Sequence, residues 1–233
     1  MPASDASSPT ARSGSPAAVL VVFAVAGLVI SQALARMPAV RDAVGASTGE
    51  LGLALVGAGL GSLVAMPFTG ALIDRFGNRA VVQVCIVLGA TGWGAVGLVD
   101  SPWALGVLLL MTGAPFGVWD VGMNVQGSLV EQLRTRSLMP YFHAAFSGGT
   151  VVGAGLGALA AYFGIGLVQL PVVASAGLVV GLVAVRRFIP DPASDQHQRS
   201  AQRTEPEARG GVTRLEILIG VVCLGGALAE GSA

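Results

Sequence analysis

The chain has 233 residues, 53% of them hydrophobic and only 11% charged, and its formal net charge is zero. Its mean hydropathy is +0.74. A water-soluble surface carries about a quarter charged residues, so this chain is excluded from the soluble class and reads as solvated mostly by lipid. Its neutrality gives no electrostatic case for nucleic acid.

Met1 to Ser15 is rich in Ser, Ala and Pro and reads as a polar tail, bounded at residue 16. A spanning helix needs about 20 apolar residues, so runs free of charge measure the spans. Ser13–Ala35, between Arg12 and Arg36, holds span one; its length and the spans that follow separate it from a cleaved signal sequence. Arg36–Glu50 is a mixed-charge connection containing Pro38. Leu51–Ile73 holds span two, Ala80–Val99 span three, and Ser101–Val130, interrupted only by Asp120, span four. Ser137–Val185 carries one titratable side chain, His143, and is long enough for spans five and six, with a turn near Tyr162–Gly166. The expected transporter unit therefore covers 17–188. Residues 189–213 read as a polar cytoplasmic linker, and 214–233 as the start of a seventh span, cut short where the sequence stops.

Arginine placement sets the orientation. With the N-terminus in the cytoplasm, eleven of the thirteen arginines fall inside, and only Arg36 and Arg41 outside. There is no lysine; together with the heavy Ala, Gly and Val usage this reads as bacterial coding bias. The expected location is a bacterial cytoplasmic membrane. Cys85 and Cys223 both sit in apolar runs and read as small hydrophobes. No spacing suggests a metal site, a cofactor loop or a nucleophile with its base, so the chain does not read as an enzyme.

Between spans two and three lies Gly70-Ala-Leu-Ile-Asp74-Arg75-Phe-Gly77-Asn-Arg79. A glycine at position 70 would let helices approach, Asp74 at a helix end can pair with Arg75 or Arg79, and Gly77 permits a tight turn. This stretch resembles the G-x-x-x-D-R-x-G-x-R/K signature of the major facilitator superfamily. Arg36-Met-Pro38-Ala-Val-Arg41, Asp120-Val-Gly-Met-Asn124-Val-Gln126-Gly127 and Met139-Pro-Tyr-Phe-His143 through Gly149 are similar to the bacterial fucose-permease-like branch. The resemblance implies an all-α fold, a polytopic membrane helix bundle of six transmembrane helices in two three-helix repeats, plus part of a seventh. It also implies a second six-helix half, which would be the missing partner of this chain. The Gly-Pro pattern that marks drug/proton antiporters is absent from span five, which instead repeats Gly149, Gly153 and Gly157 every four residues as a helix-packing face. Gly57/Gly61 and Gly113/Gly117 read as further packing pairs.

A charge inside the bilayer costs at least ~2.5 kcal/mol and marks function by default. Asp120 is the acid deep in a span. Asn124 lies about 40° from it around the helix, and Gly113 and Gly117 fall on the same side, so span four presents a stripe that is small above and polar below and suits a cavity wall. Asn124 and His143 both lie about 10 Å from the cytoplasmic charges, at a depth where they could face each other. Asp120, Asn124 and His143 are the candidates for proton coupling or substrate binding. Gln32, with Gln169, reads either as a substrate contact or as an interhelical hydrogen bond. The expected function is secondary transport of a small, sugar-like solute coupled to protons. The rivals are drug efflux by antiport and a scaffold that does not transport.

Overall fold

The computed structural model describes residues 15–134 and 136–189. The linker and the seventh span read from the sequence lie outside the described residues, as does nearly all of the N-terminal tail. The described residues form helices: α1 (Pro16–Leu34), α2 (Met37–Val44), α3 (Thr48–Ala65), α4 (Thr69–Phe76), α5 (Asn78–Ala95), α6 (Pro102–Gln132), α7 (Met139–Tyr162) and α8 (Gln169–Val185). Each apolar run within the described residues is helical, and the turn between α7 and α8 falls where expected.

Local chemistry explains the ends. Pro16 and Pro102 open α1 and α6, where a missing N–H costs nothing. Ser101 caps α6, its Oγ accepting the Ala104 N–H at 3.3 Å. Ser47 and Glu50 form a reciprocal capping box on α3. Span two is bent: a 3-10 turn at Met66–Phe68, centred on Pro67, separates α3 from α4, because proline supplies no N–H to continue the ladder. Glu131 closes α6 onto α7, its Oε2 accepting the Met139 N–H at 2.7 Å and the Leu138 N–H. A carboxylate is favoured at that positive helix end.

The connection 36–50 contains a helix that its mixed charges concealed. In α2, Met37, Val40 and Val44 are buried at helical spacing, and Gly45 ends it at φ 69°. An eight-residue amphipathic helix among charges has too short a pattern to stand out.

α1, α6, α7 and the α3–α4 segment are each long and apolar enough to cross a membrane. α5 and α8, of 18 and 17 residues, are about 27 and 26 Å long, against about 30 Å of hydrocarbon. The chain is an integral membrane helix bundle. Its closest pairings are α1 with α7, α3 with α6, α5 with α6, α5 with α8, and α1 with α8. Number the spans one to six as α1, α3, α5, α6, α7 and α8. Exchanging one with four, two with five and three with six maps this set of pairings onto itself. Two three-helix repeats satisfy that exchange, and because partners are three spans apart they run in opposite directions.

The two strongest pairings are built alike. On α7, a Cβ at Gly149 would collide with the backbone of Ala24, and one at Gly153 with Leu28 and Ser31 of α1. At Gly157 it would lie 2.8 Å from Ala35 Cβ. Between α3 and α6, Gly113 meets Ala58, Gly117 meets Ser62 and Gly61 meets Leu110, all too close for a side chain. Gly57 makes only ordinary contact. Without a hydrophobic force between helices in lipid, such close backbone approach is what binds them. Phe23, Trp119, Phe142, Ile86 and Leu109 fill the centre.

Candidate functional site

α6 carries the polar stripe of Asp120 and Asn124. α6 and α7 touch only lightly. Asp120 and Asn124 are half-buried on α6, and His143 is exposed on α7. Asn124 Nδ2 donates to the Asp120 carbonyl at 2.9 Å and to Asp120 Oδ1 at 3.5 Å. His143 lies within electrostatic reach of Asp120. Its imidazole stands edge-on to Phe23, with ring centroids 5.6 Å apart and planes at 82°. Phe23 in turn stacks on Phe142 at 5.6 Å. An aromatic wall from α1 thus steadies the imidazole, while α6 supplies the acid.

His143 lies within electrostatic reach of Asp120, and Asn124 turns back along α6 onto Asp120. The small half of the α6 stripe does not line a cavity: Gly113 and Gly117 seat α3. The polar half begins below them, at Asp120. A carboxyl beside an amide donor and an imidazole can hold a proton, release it or accept a hydroxyl hydrogen bond.

Gln32 is fully buried and turned toward α8. Gln169 Nε2 donates to Gln32 Oε1 at 2.6 Å, and Gln32 Nε2 donates to the Leu170 carbonyl at 3.5 Å. The structure places Gln32 with Gln169, apart from the Asp120 group.

In the loop motif, Gly77 takes φ 81°, ψ 145°, between the last residue of α4 and the first of α5. That conformation favours glycine. Asp74 is half-buried and engaged with a partner, Arg75 lies over the Phe76 ring at 5.4 Å, and Arg79 is half-buried. Gly70 corrects the sequence reading. It is exposed, and a Cβ there would meet no atom within 4 Å. Its small size serves no helix contact among the described residues.

Three side chains emerge only from the structure. Asn78, buried at the start of α5, donates from Nδ2 to the Gly122 carbonyl at 3.0 Å and to Gln126 Oε1 at 3.4 Å. It joins the loop motif to the back of α6. Both residues stood inside quoted motifs, yet their spacing gave no hint of the pairing. Arg36, 5% exposed, donates from Nη2 to the Ile165 carbonyl at 2.8 Å and ties α1 to the α7–α8 turn. Phe23 carried no signal beyond its apolar character.

A family model described as the Major Facilitator Superfamily matches residues 17–229. Over 135 residues the chain is 36% identical to an uncharacterized MFS-type transporter of Yersinia pestis, covering 58% of this chain and 35% of that protein. Over 141 residues it is 32% identical to an uncharacterized transporter of Sinorhizobium fredii (strain NBRC 101917 / NGR234), covering 60% and 37%. The chain thus matches little more than a third of the length of these relatives.

Proposed function

Because the chain belongs to the Major Facilitator Superfamily, we propose that it forms one six-helix half of a secondary transporter, working by alternating access with a second half. Its inverted three-helix repeats suit that mechanism. The observation that carries the reading further is the Asp120 group: an acid on α6, within electrostatic reach of an imidazole on α7 that α1 holds edge-on. In this reading Asp120 takes up and releases a proton as access alternates, His143 modulates it, and Asn124 holds the acid's rotamer and offers a hydrogen bond to the solute. The solute is small and polar, of the sugar-like class suggested by the fucose-permease-like stretches. In this reading the N-terminus faces the cytoplasm of a bacterial cell, the side the arginine asymmetry favours.

The Gly70–Arg79 motif lies between α4 and α5, and its Asn78 reaches the α6 backbone at Gly122, two residues from Asp120. Its Gly77 turn and the Asn78–Gln126 contact tie α4, α5 and α6 together. Its role is to favour one conformational state over another.

Solute flux into liposomes, with and without an imposed pH gradient, tests the reading on the intact transporter. Inward-acid gradients should drive accumulation. Accumulation driven instead by an opposed gradient would make the protein an antiporter, and no flux would make the chain a scaffold.

A further inference from the structure

Several helical hydroxyls of this chain are spent on their own helix. Ser31 Oγ donates to the Gly27 carbonyl at 2.7 Å, Thr112 Oγ1 to the Leu108 carbonyl at 2.7 Å, and Thr150 Oγ1 to the Phe146 carbonyl at 3.0 Å. A hydroxyl in an apolar helix readily makes this bond one turn back. Ser62, in the last turn of α3, differs. It is half-buried, and its hydroxyl makes no hydrogen bond among the described residues. Thr69, just past the bend, also lacks a partner, but it is fully buried and out of a solute's reach.

The packing of α3 on α6 decides what the Ser62 hydroxyl faces. Ala58 sits on Gly113 and Ser62 on Gly117. A Cβ at Gly117 would collide with Ser62 Oγ and lie 2.9 Å from Ser62 Cα. The Ser62 hydroxyl thus stands where a side chain of residue 117 would. Gly113, Gly117, Asp120 and Asn124 fall within about 60° of one another around α6. Positions three apart on such a stripe are about 5–6 Å from each other at Cβ. Helical side chains also lean toward the N-terminus, so Asp120 leans toward the place that Ser62 fills. Past Ser62 the 3-10 turn at Met66–Phe68 interrupts the helix, and α4 touches α6 only lightly. Asp120 and Asn124, next along the stripe, stay half-buried. α3 therefore brings the acid a neutral hydroxyl, while α7 brings it an imidazole.

We propose that Ser62 binds the solute together with Asp120 and selects for solutes that carry hydroxyls. This rests on the transport reading given above. An ionised carboxylate only accepts hydrogen bonds, whereas a serine hydroxyl donates and accepts. A polyol matches that pair: one of its hydroxyls donates to Asp120, and a neighbouring oxygen bonds to Ser62. An apolar solute leaves the desolvated serine unpaired and loses affinity.

The test uses the intact transporter in liposomes, with radiolabelled D-glucose, D-galactose and their singly deoxygenated analogues as probes. Uptake is followed at equal pH, so that proton coupling does not enter. Ser62→Ala should raise the half-saturation concentration of the parent hexose about fivefold, with the maximal rate nearly unchanged. For the analogue that lacks the contacted hydroxyl, wild type and Ser62→Ala should agree. A serine that only packs would shift every member of the series alike. Ser175→Ala, in the α5–α8 groove beside Thr91 and Pro171, should change no value. Ser62→Cys, with Cys85 and Cys223 replaced, should react with a small water-soluble thiol reagent, and the hexose should slow that reaction. An unchanged half-saturation in Ser62→Ala, equal losses across the series, or an unreactive Ser62→Cys would overturn this proposal and leave the transport reading standing. Absence of hexose flux in the wild type would overturn the sugar-like reading and this proposal together.

Discussion

At the scale of single residues, glycine was the most legible side chain in some places and the most misleading in others. Gly149, Gly153 and Gly157 could be read because four-residue spacing puts them on one face, and that face is the one α1 occupies. Gly70 stood in a motif, and motif membership carries no geometry; the structure leaves it open. The contrast sets an expectation. Gly149→Val must push α7 off the Ala24 backbone and should destabilise the chain by about 1–3 kcal/mol, whereas Gly70→Ala should change stability by less than about 0.5 kcal/mol. Thermal unfolding followed by tryptophan fluorescence compares them, and equal losses would refute the packing assignment. Asp120 was legible for a different reason, since a lone acid in an apolar run announces itself through its cost. Its partner was harder to find. Equal depth suggested Asn124 opposite His143, but depth does not fix the azimuth; Asn124 donates to the Asp120 carbonyl, and His143 lies within electrostatic reach of the same acid.

At the scale of elements, the charge-poor runs located every long helix among the described residues, because a bilayer punishes a charge wherever a span must lie. What they could not show was anything that depends on neighbours. α2 is held by Met37, Val40 and Val44 packing under it, and the bend at Pro67 looks in sequence like part of one span. The α1–α8 tie is also a neighbour effect. Gln32 and Gln169 were each ambiguous alone and are plain as a pair bonded at 2.6 Å. Removing one partner strands a buried amide, at about 1–3 kcal/mol. Gln169→Leu alone should therefore destabilise more than Gln32→Leu and Gln169→Leu together. A double variant as weak as the sum of the singles would show that the pair is not coupled. The loop motif acts at this scale as well. In the intact transporter, Asp74→Asn should slow turnover more than it weakens solute binding, because it shifts a conformational population. Weakened binding with an unchanged rate would contradict that.

At the scale of the whole molecule, arginine asymmetry gives an orientation and the helix pairings give a repeat. The first is an expectation from plain counts of arginine. The second was implied by the family resemblance, and the helix pairings fit it, since they survive exchange of the two triplets of spans. A cysteine introduced at Ser194, in a chain with Cys85 and Cys223 replaced, tests the orientation. It should resist an impermeant thiol reagent added outside intact cells, and fast labelling would invert the topology. The central claim remains that Asp120 couples protons to solute. Asp120→Asn keeps the shape and the hydrogen bonding of the side chain but removes its titration. In the intact transporter, reconstituted into liposomes, the account predicts that Asp120→Asn abolishes solute accumulation driven by a pH gradient and leaves solute exchange at equal pH. Accumulation against a gradient that survives in Asp120→Asn would contradict it.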